Sequence, residues 1–184
     1  MRPVARTNRL RGVAAVVCCA AVLPAVAPSP AASTARSSTP PCPAAATRAW
    51  LGLGLGGGTA GTYYYPLELS NVGSRACTLY GYPGVSLAGG HPVAQVGPAA
   101  SENPTPPRKL VTLAPGQVAN ALLRIVDALN YPPSKCGPVA TQWLQIYPPN
   151  ETTPVYLAYK TTACSKQVKI LSVSVVQPGS GGSA

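Results

Sequence analysis

Proline and glycine interrupt this 184-residue chain at short intervals, which restricts most of it to short extended segments joined by turns. The sequence holds 22 prolines and 18 glycines, and proline disrupts the interior of helices and of central strands. Turn signals such as those at residues 71–74, 82–84, 114–116 and 147–150 recur at roughly the spacing of an all-β sandwich. The punctuation therefore predicts an all-β domain.

Apolar and more polar residues alternate between these turns. The period of two is clearest in residues 63–70, and it recurs in residues 50–55, 143–147 and 171–175. Alternation of this kind indicates half-buried strands. Only Ala119 to Leu129 could instead be helical; we interpret Val118 to Val126 as a strand, because Pro-Gly precedes it and Pro-Pro follows it closely.

The N-terminus has the pattern of a secretory signal peptide. Residues 1–11 carry four arginines and no acid, and residues 12–27 are almost uninterruptedly apolar. We predict a signal peptide over residues 1–32, with cleavage after Ala31 or Ala32. An uncleaved anchor is the alternative, although the apolar run is shorter than the ~20 residues that span a bilayer. Removing the four leader arginines lowers the net charge from +10 to +6.

The rest of the chain divides by composition. Residues 33–41 are rich in Ser, Thr, Pro and Ala and are predicted to be a flexible linker, and residues 179–184 are predicted to be a flexible Gly/Ser tail. Residues 42–178 form the predicted β-sandwich domain. We expect the protein to be secreted, either extracellular or in the cell envelope.

Two of the six cysteines would leave with the signal peptide, and the four that remain are Cys42, Cys77, Cys136 and Cys164. An even number in an exported chain indicates two disulfides, for which three pairings are possible. We favour Cys42 with Cys77 and Cys136 with Cys164, because each pair closes a short loop. A zinc site is disfavoured, since no two of these cysteines have metal-ligand spacing and His91 is the chain's single histidine.

Catalytic groups are scarce. The four acids are Glu68, Glu102, Asp127 and Glu151, and His91 lies in a predicted turn. We therefore assign no catalytic residue, metal or other cofactor. The alternative is an enzyme or enzyme accessory domain that acts on cell-envelope polymers through Asp127 or Glu68 in a cleft.

Tyrosine and lysine supply a candidate binding surface. The chain has nine tyrosines and no phenylalanine, and exposed tyrosine suits contacts with proteins or carbohydrates. The candidates are Tyr64, Tyr80, Tyr82, Lys160, Lys166 and Lys169. The alternative is that the tyrosines cap the core. We expect a non-enzymatic binding module whose partner is an envelope protein or an anionic cell-wall polymer. Nucleic acid is not expected, and membrane anchoring is the less favoured possibility.

Several strings resemble a known family. They are Asn71-x-Gly73, the nonapeptide CTLYGYPGV at residues 77–85, LAPG at residues 113–116, and the later Cys136 and Cys164. Together they resemble a secreted actinobacterial domain of unknown function, of the 4232 type, over nearly all of residues 42–178. The resemblance implies an immunoglobulin-like β-sandwich, displayed at or beyond the cell envelope by a signal peptide or a lipid anchor. It implies no reaction, and the residues before Cys18 and Cys19 do not form a lipobox.

Residues 82–84 of that nonapeptide also have a local interpretation. Proline presets the backbone φ near −65° and glycine permits a positive φ, so Tyr82-Pro83-Gly84 predicts a type II turn. The nonapeptide would then form a β-hairpin.

Overall fold

The computed structural model describes residues 38–53 and 60–181. The strands in this part of the chain are Thr47–Leu51 (β1), Thr62–Asn71 (β2), Cys77–Tyr80 (β3), Gly84–Gly89 (β4), Ala94–Val96 (β5), Ser101–Asn103 (β6), Leu110–Leu113 (β7), Val118–Val126 (β8), Pro138–Tyr147 (β9), Val155–Cys164 (β10), Leu171–Ser174 (β11) and Gln177–Pro178 (β12). A one-turn α-helix, Pro133–Cys136 (α1), and the 3₁₀ helices Ala44–Ala46 and Ala128–Asn130 complete the described elements. The all-β prediction is confirmed. The predicted signal peptide lies outside the described residues.

Two larger sheets enclose one hydrophobic core. The six-stranded sheet has the order β1-β2-β8-β11-β6, with β12 also paired to β8, and the four-stranded sheet has the order β10-β9-β4-β5. Leu67 and Leu123 of the first sheet belong to the same buried cluster as Leu144 and Ile146 of the second. This is the predicted β-sandwich. Its pairings are antiparallel except for that of β6 with β11, which is parallel, and β3 and β7 form a small third sheet.

Strand β8 confirms the interpretation of residues 118–126. The strand begins at Val118 and ends at Val126, and it pairs along most of its length with β2. Ala119, Ala121, Leu123 and Ile125 are buried on one face, while the residues between them are partly exposed. That alternation suits a strand against a core and leaves the helical alternative without support.

Strand β2 departs from the expectation of a half-buried strand. From Pro66 to Asn71 every residue is buried, so both faces of the strand are covered there. One face packs in the core through Leu67 and Leu69. On the other, Oε1 of Glu68 accepts hydrogen bonds from Ser180 Oγ and the backbone N–H of Gly181, both at 2.9 Å. Residues 180 and 181 therefore cover Glu68 on this face.

Both predicted disulfides are present. Cys42 and Cys77 have Cα atoms 4.7 Å apart, and Cys136 and Cys164 have theirs 4.5 Å apart. All four residues are buried in the core cluster. Closing loops of 35 and 28 residues stabilises the folded state by roughly 3 to 4 kcal/mol each, through the entropy removed from the unfolded chain.

The hairpin and the type II turn predicted for the nonapeptide are wrong. Strand β3 pairs with β7, whereas β4 pairs with β5 and β9 in a different sheet. The residue with positive φ is Gly81, at 96°, and Gly84 is the first residue of β4. An added Cβ at Gly84 would lie 3.3 Å from Tyr147 Cβ. The nonapeptide therefore carries the chain between sheets, and Gly84 makes room for an aromatic side chain.

Both ends of the domain reach further than the predicted boundaries. Carbonyl oxygens of Thr39 and Pro40, inside the predicted linker, accept hydrogen bonds from Thr78. Gly179 donates its N–H to the Val118 carbonyl at 2.9 Å, so residues 179–181 of the predicted tail lie on the sheet; residues 182–184 are outside the described part. Among the described residues, no helix has the length and apolar character needed to cross a bilayer.

Candidate functional site

A cleft opens where the two large sheets meet beside β1. Strand β1 pairs only with residues 67–71 of β2, so it leaves the first half of β2 unpaired on that edge, and residues of β10 line the same cavity as this half of β2. The resulting cavity has a volume of about 330 Å³, at the lower end of the range of small-molecule sites. We call it the tyrosine cleft, and its lining residues are Tyr63, Tyr65, Ile125, Asp127, Leu129, Tyr159, Thr161 and Thr162.

Tyrosine rings form much of the wall. Period-two alternation in β2 places Tyr63 and Tyr65 on the same side as the core leucines. The rings of Tyr65 and Tyr159 have centroids 6.3 Å apart and meet at 76°, an edge-to-face arrangement favoured by aromatic quadrupoles. Burial, reinforced by the nearby phenol of Tyr65, raises the pKa of Tyr159 well above its ordinary value. At neutral pH this phenol is therefore an uncharged hydrogen-bonding group.

Asp127 supplies the charge at the end of β8. Its backbone N–H donates to the Gly61 carbonyl at 2.6 Å, which aligns the end of β8 with the start of β2. Its side-chain Oδ1 accepts from the N–H of Leu129 at 2.9 Å and so caps the 3₁₀ helix Ala128–Asn130. Asp127 is the one residue with a formal charge at neutral pH among the lining residues described.

The six residues predicted as a binding surface are dispersed. Strand β10 runs from Val155, opposite Ile146, to Cys164, opposite Pro138, a length of about 30 Å. Gly84 pairs with Tyr147, which places the predicted Tyr80 and Tyr82 near the Val155 end. Lys166 and Lys169 follow Cys164 at the opposite end.

These six residues also differ in their exposure and in the groups that they contact. Tyr80 is 46% exposed, whereas the guanidinium carbon of Arg108 lies 4.9 Å above the centre of the Tyr82 ring. Lys166 donates from Nζ to the Ser134 carbonyl at 2.6 Å. Tyr64 pairs with Arg124 in the other sheet, and Lys160 is exposed on β10 beside Tyr159.

Comparison with known proteins identifies a family. A family model described as Domain of unknown function (DUF4232) matches residues 42–177. The chain belongs to this family. The resemblance inferred from the cysteine and glycine-proline strings is thus confirmed for the family itself. No curated protein and no solved structure matches the chain.

The acids of this DUF4232 domain do not converge. Asp127 is hydrogen-bonded to Gly61, which lies seven residues before Glu68 along an extended strand, so Glu68 and Asp127 are separated by about 20 Å. Glu102 forms an ion pair with Arg108 at 3.4 Å on the surface. No cluster of three or more His, Cys, Asp or Glu residues suited to a metal occurs in the described segments.

His91 is exposed in the turn between β4 and β5 and does not line the tyrosine cleft.

The tyrosine cleft brings Asp127, one of the carboxylates considered from the sequence, together with tyrosines that were not among the predicted site residues. Alternation in β2 pairs Tyr63 with Tyr65 on one face, and that signal was available. The sequence gives no signal that Tyr159 of β10 approaches these two rings, because that contact depends on how the two sheets pack.

Proposed function

We propose that this DUF4232 domain is an exported, non-enzymatic binding module of the cell envelope or the extracellular space. Two buried disulfides suit an oxidising compartment, and the basic, apolar N-terminal pattern suits export. The partner we expect at the tyrosine cleft is an envelope protein, whereas an anionic cell-wall polymer, the other partner we consider, would contact exposed lysines outside the cleft.

The composition of the tyrosine cleft is the observation that carries this proposal. Its described lining supplies three phenols, two threonine hydroxyls and one carboxylate, all of which can hold a ligand. General acid-base catalysis at neutral pH needs a second group whose pKa lies near the working pH, and burial moves the pKa of the Tyr159 phenol further from that range. Because Glu68 lies about 20 Å from Asp127 along β2, the cleft supports recognition better than it supports the alternative of hydrolysis.

A pull-down from envelope fractions tests the proposal. The bait is the oxidised protein, and the reduced protein controls for dependence on the fold. Tyr63→Leu removes a half-exposed ring of the cleft, 49% exposed, and Tyr80→Leu removes a comparable ring, 46% exposed, from the surface predicted by sequence. We expect a saturable partner that Tyr63→Leu weakens and Tyr80→Leu retains.

Two results would overturn the proposal. One is the absence of any component retained by the oxidised bait over the reduced bait. The other is turnover of an envelope polymer by the purified protein that Asp127→Asn abolishes, because that would make the domain an enzyme.

A further inference from the structure

The charge of the tyrosine cleft is opposite to that of the protein. The chain carries 14 basic against 4 acidic side chains, yet the described lining of the cleft includes Asp127 and no lysine or arginine. An anionic polymer would be drawn to exposed lysines elsewhere and repelled by this carboxylate. The cleft is therefore suited to a ligand group that is neutral or positively charged.

The tyrosine rings favour a compact cation over a flat sugar. Tyr65 and Tyr159 meet at 76°, so they form two walls of a corner instead of one flat platform. Sugars stack on a single ring plane, whereas an ammonium group gains from the negative faces of several rings arranged around it. Tyr63 adds a third ring to the same lining.

Asp127 adds to the three tyrosine rings a carboxylate that can pair with a cation. One carboxylate oxygen, Oδ1, accepts a hydrogen bond from the Leu129 N–H, and this bond orients the side chain. Asp127 is of intermediate exposure as a residue, and the hydrogen bond of its carboxylate with Leu129 is exposed, so a cation in the cleft can reach the carboxylate from solvent. A volume of about 330 Å³ admits a head group or a side-chain end.

We propose that the tyrosine cleft binds an organic ammonium group, held against the rings of Tyr63, Tyr65 and Tyr159 and paired with the carboxylate of Asp127. This inference rests on the proposed binding function and names its ligand chemistry. Such a group occurs in a choline head group and in a lysine side chain.

Titration of the oxidised protein tests the inference. The probes are choline chloride and Nα-acetyl-lysine amide, which separate the two sources, with sodium chloride as the control for plain ionic strength and N-acetylglucosamine as the neutral sugar. Binding is followed by calorimetry and by NMR shifts of the tyrosine ring protons. We expect saturable binding of at least one ammonium probe, with shifts in the rings of the cleft.

Matched variants locate the site. Asp127→Asn removes the charge but keeps a side-chain oxygen that can cap Leu129, and Glu151→Gln removes a charge outside the cleft. Tyr63→Leu removes a ring of the cleft, and Tyr156→Leu removes one of similar exposure, 44%, outside it. We expect about tenfold weaker binding for the two cleft variants and unchanged binding for the two controls.

The outcomes separate this inference from the proposed function. If neither ammonium probe binds better than sodium, or if Asp127→Asn binds as tightly as the unmodified protein, the ammonium inference is overturned. If N-acetylglucosamine binds instead and Tyr63→Leu weakens it, the cleft is a sugar site and the binding function stands. A pull-down that retains no partner removes the binding function itself.

Discussion

Glu68 is a carboxylate in an unusual place, 1% exposed in the middle of β2. Its Oε1 accepts from Ser180 and Gly181, while its Oε2 is buried with no hydrogen-bond partner in the described structure. Charged side chains are almost never fully buried unless paired. The carboxylate therefore stabilises the fold as a hydrogen-bond acceptor, whereas the burial of its charge destabilises the fold.

Replacing Glu68 separates these two contributions. Glu68→Gln keeps the acceptor and removes the charge, so we expect its free energy of unfolding to be equal to or about 1 kcal/mol above that of the unmodified protein, because a buried amide costs less than a buried ion. Glu68→Ala removes the acceptor and leaves a void, and we expect a loss of roughly 1 to 3 kcal/mol. Urea denaturation at pH 7 measures both. Equal destabilisation by the two variants would contradict this separation of the acceptor from the charge.

Tyr159 predicts a pH dependence of stability. Its raised pKa in the folded protein, against about 10 in an unfolded chain, means that the folded state holds the phenolic proton more tightly. This contribution is complete below about pH 10 and is lost as the pH rises toward the folded pKa. Between about pH 9 and about pH 11, the Tm of the Tyr159→Phe variant should therefore decrease less than the Tm of the unmodified protein. Tyr156→Phe is the control, and identical behaviour of both variants would contradict the assignment.

At the scale of elements, residues 177–181 form a C-terminal strip that pairs with one strand of the six-stranded sheet and contacts a side chain of the next. Strand β12 pairs with β8, and Asn120 Nδ2 donates to the Gly179 carbonyl at 2.9 Å. The next two residues reach Glu68 on the neighbouring strand β2. The strip therefore links β8 to β2, and it contributes to the burial of Glu68 on the outer face of β2.

Ending the chain after Pro178 tests this covering role. The truncated protein loses the hydrogen bonds of residues 179–181, and we expect its free energy of unfolding to fall by roughly 1 to 3 kcal/mol. Because Glu68 is a shared partner, truncation should cost less in a Glu68→Ala background than in the unmodified protein. Denaturant titration of the four proteins gives the coupling. Strictly additive costs would mean that the strip and Glu68 act independently.

The elements differ in how far local sequence predicts them. Strand β8 follows from alternation between a Pro-Gly and a Pro-Pro signal, because local pattern and burial agree there. The structure of the nonapeptide at residues 77–85 does not follow from its local sequence, because a turn dipeptide favours a bend but does not determine which strand pairs with which. Here β3 pairs with β7 and β4 with β9, and those partners lie far along the chain.

At the scale of the whole molecule, the two disulfides close loops of similar length, 35 and 28 residues. The double variants Cys42→Ala/Cys77→Ala and Cys136→Ala/Cys164→Ala should therefore lose similar stability, about 2 to 5 kcal/mol each. Urea denaturation measures the losses, and fully reduced protein should approach the variant that lacks both pairs. A much larger cost for one pair would point to packing, instead of loop closure, as its main contribution.

The sequence by itself determined the all-β class and strands such as β8, and it favoured the cysteine pairing that the structure has, because alternation, proline, glycine and short loop closure act over neighbouring residues. Only the tertiary structure decided that Tyr65 meets Tyr159 beside Asp127, that residues 180 and 181 cover Glu68, and that the six residues of the predicted tyrosine and lysine surface lie apart from one another. These features depend on the register and packing of strands distant in the chain. Local pattern indicates which face a residue takes, but the arrangement of the sheets decides which residue it meets.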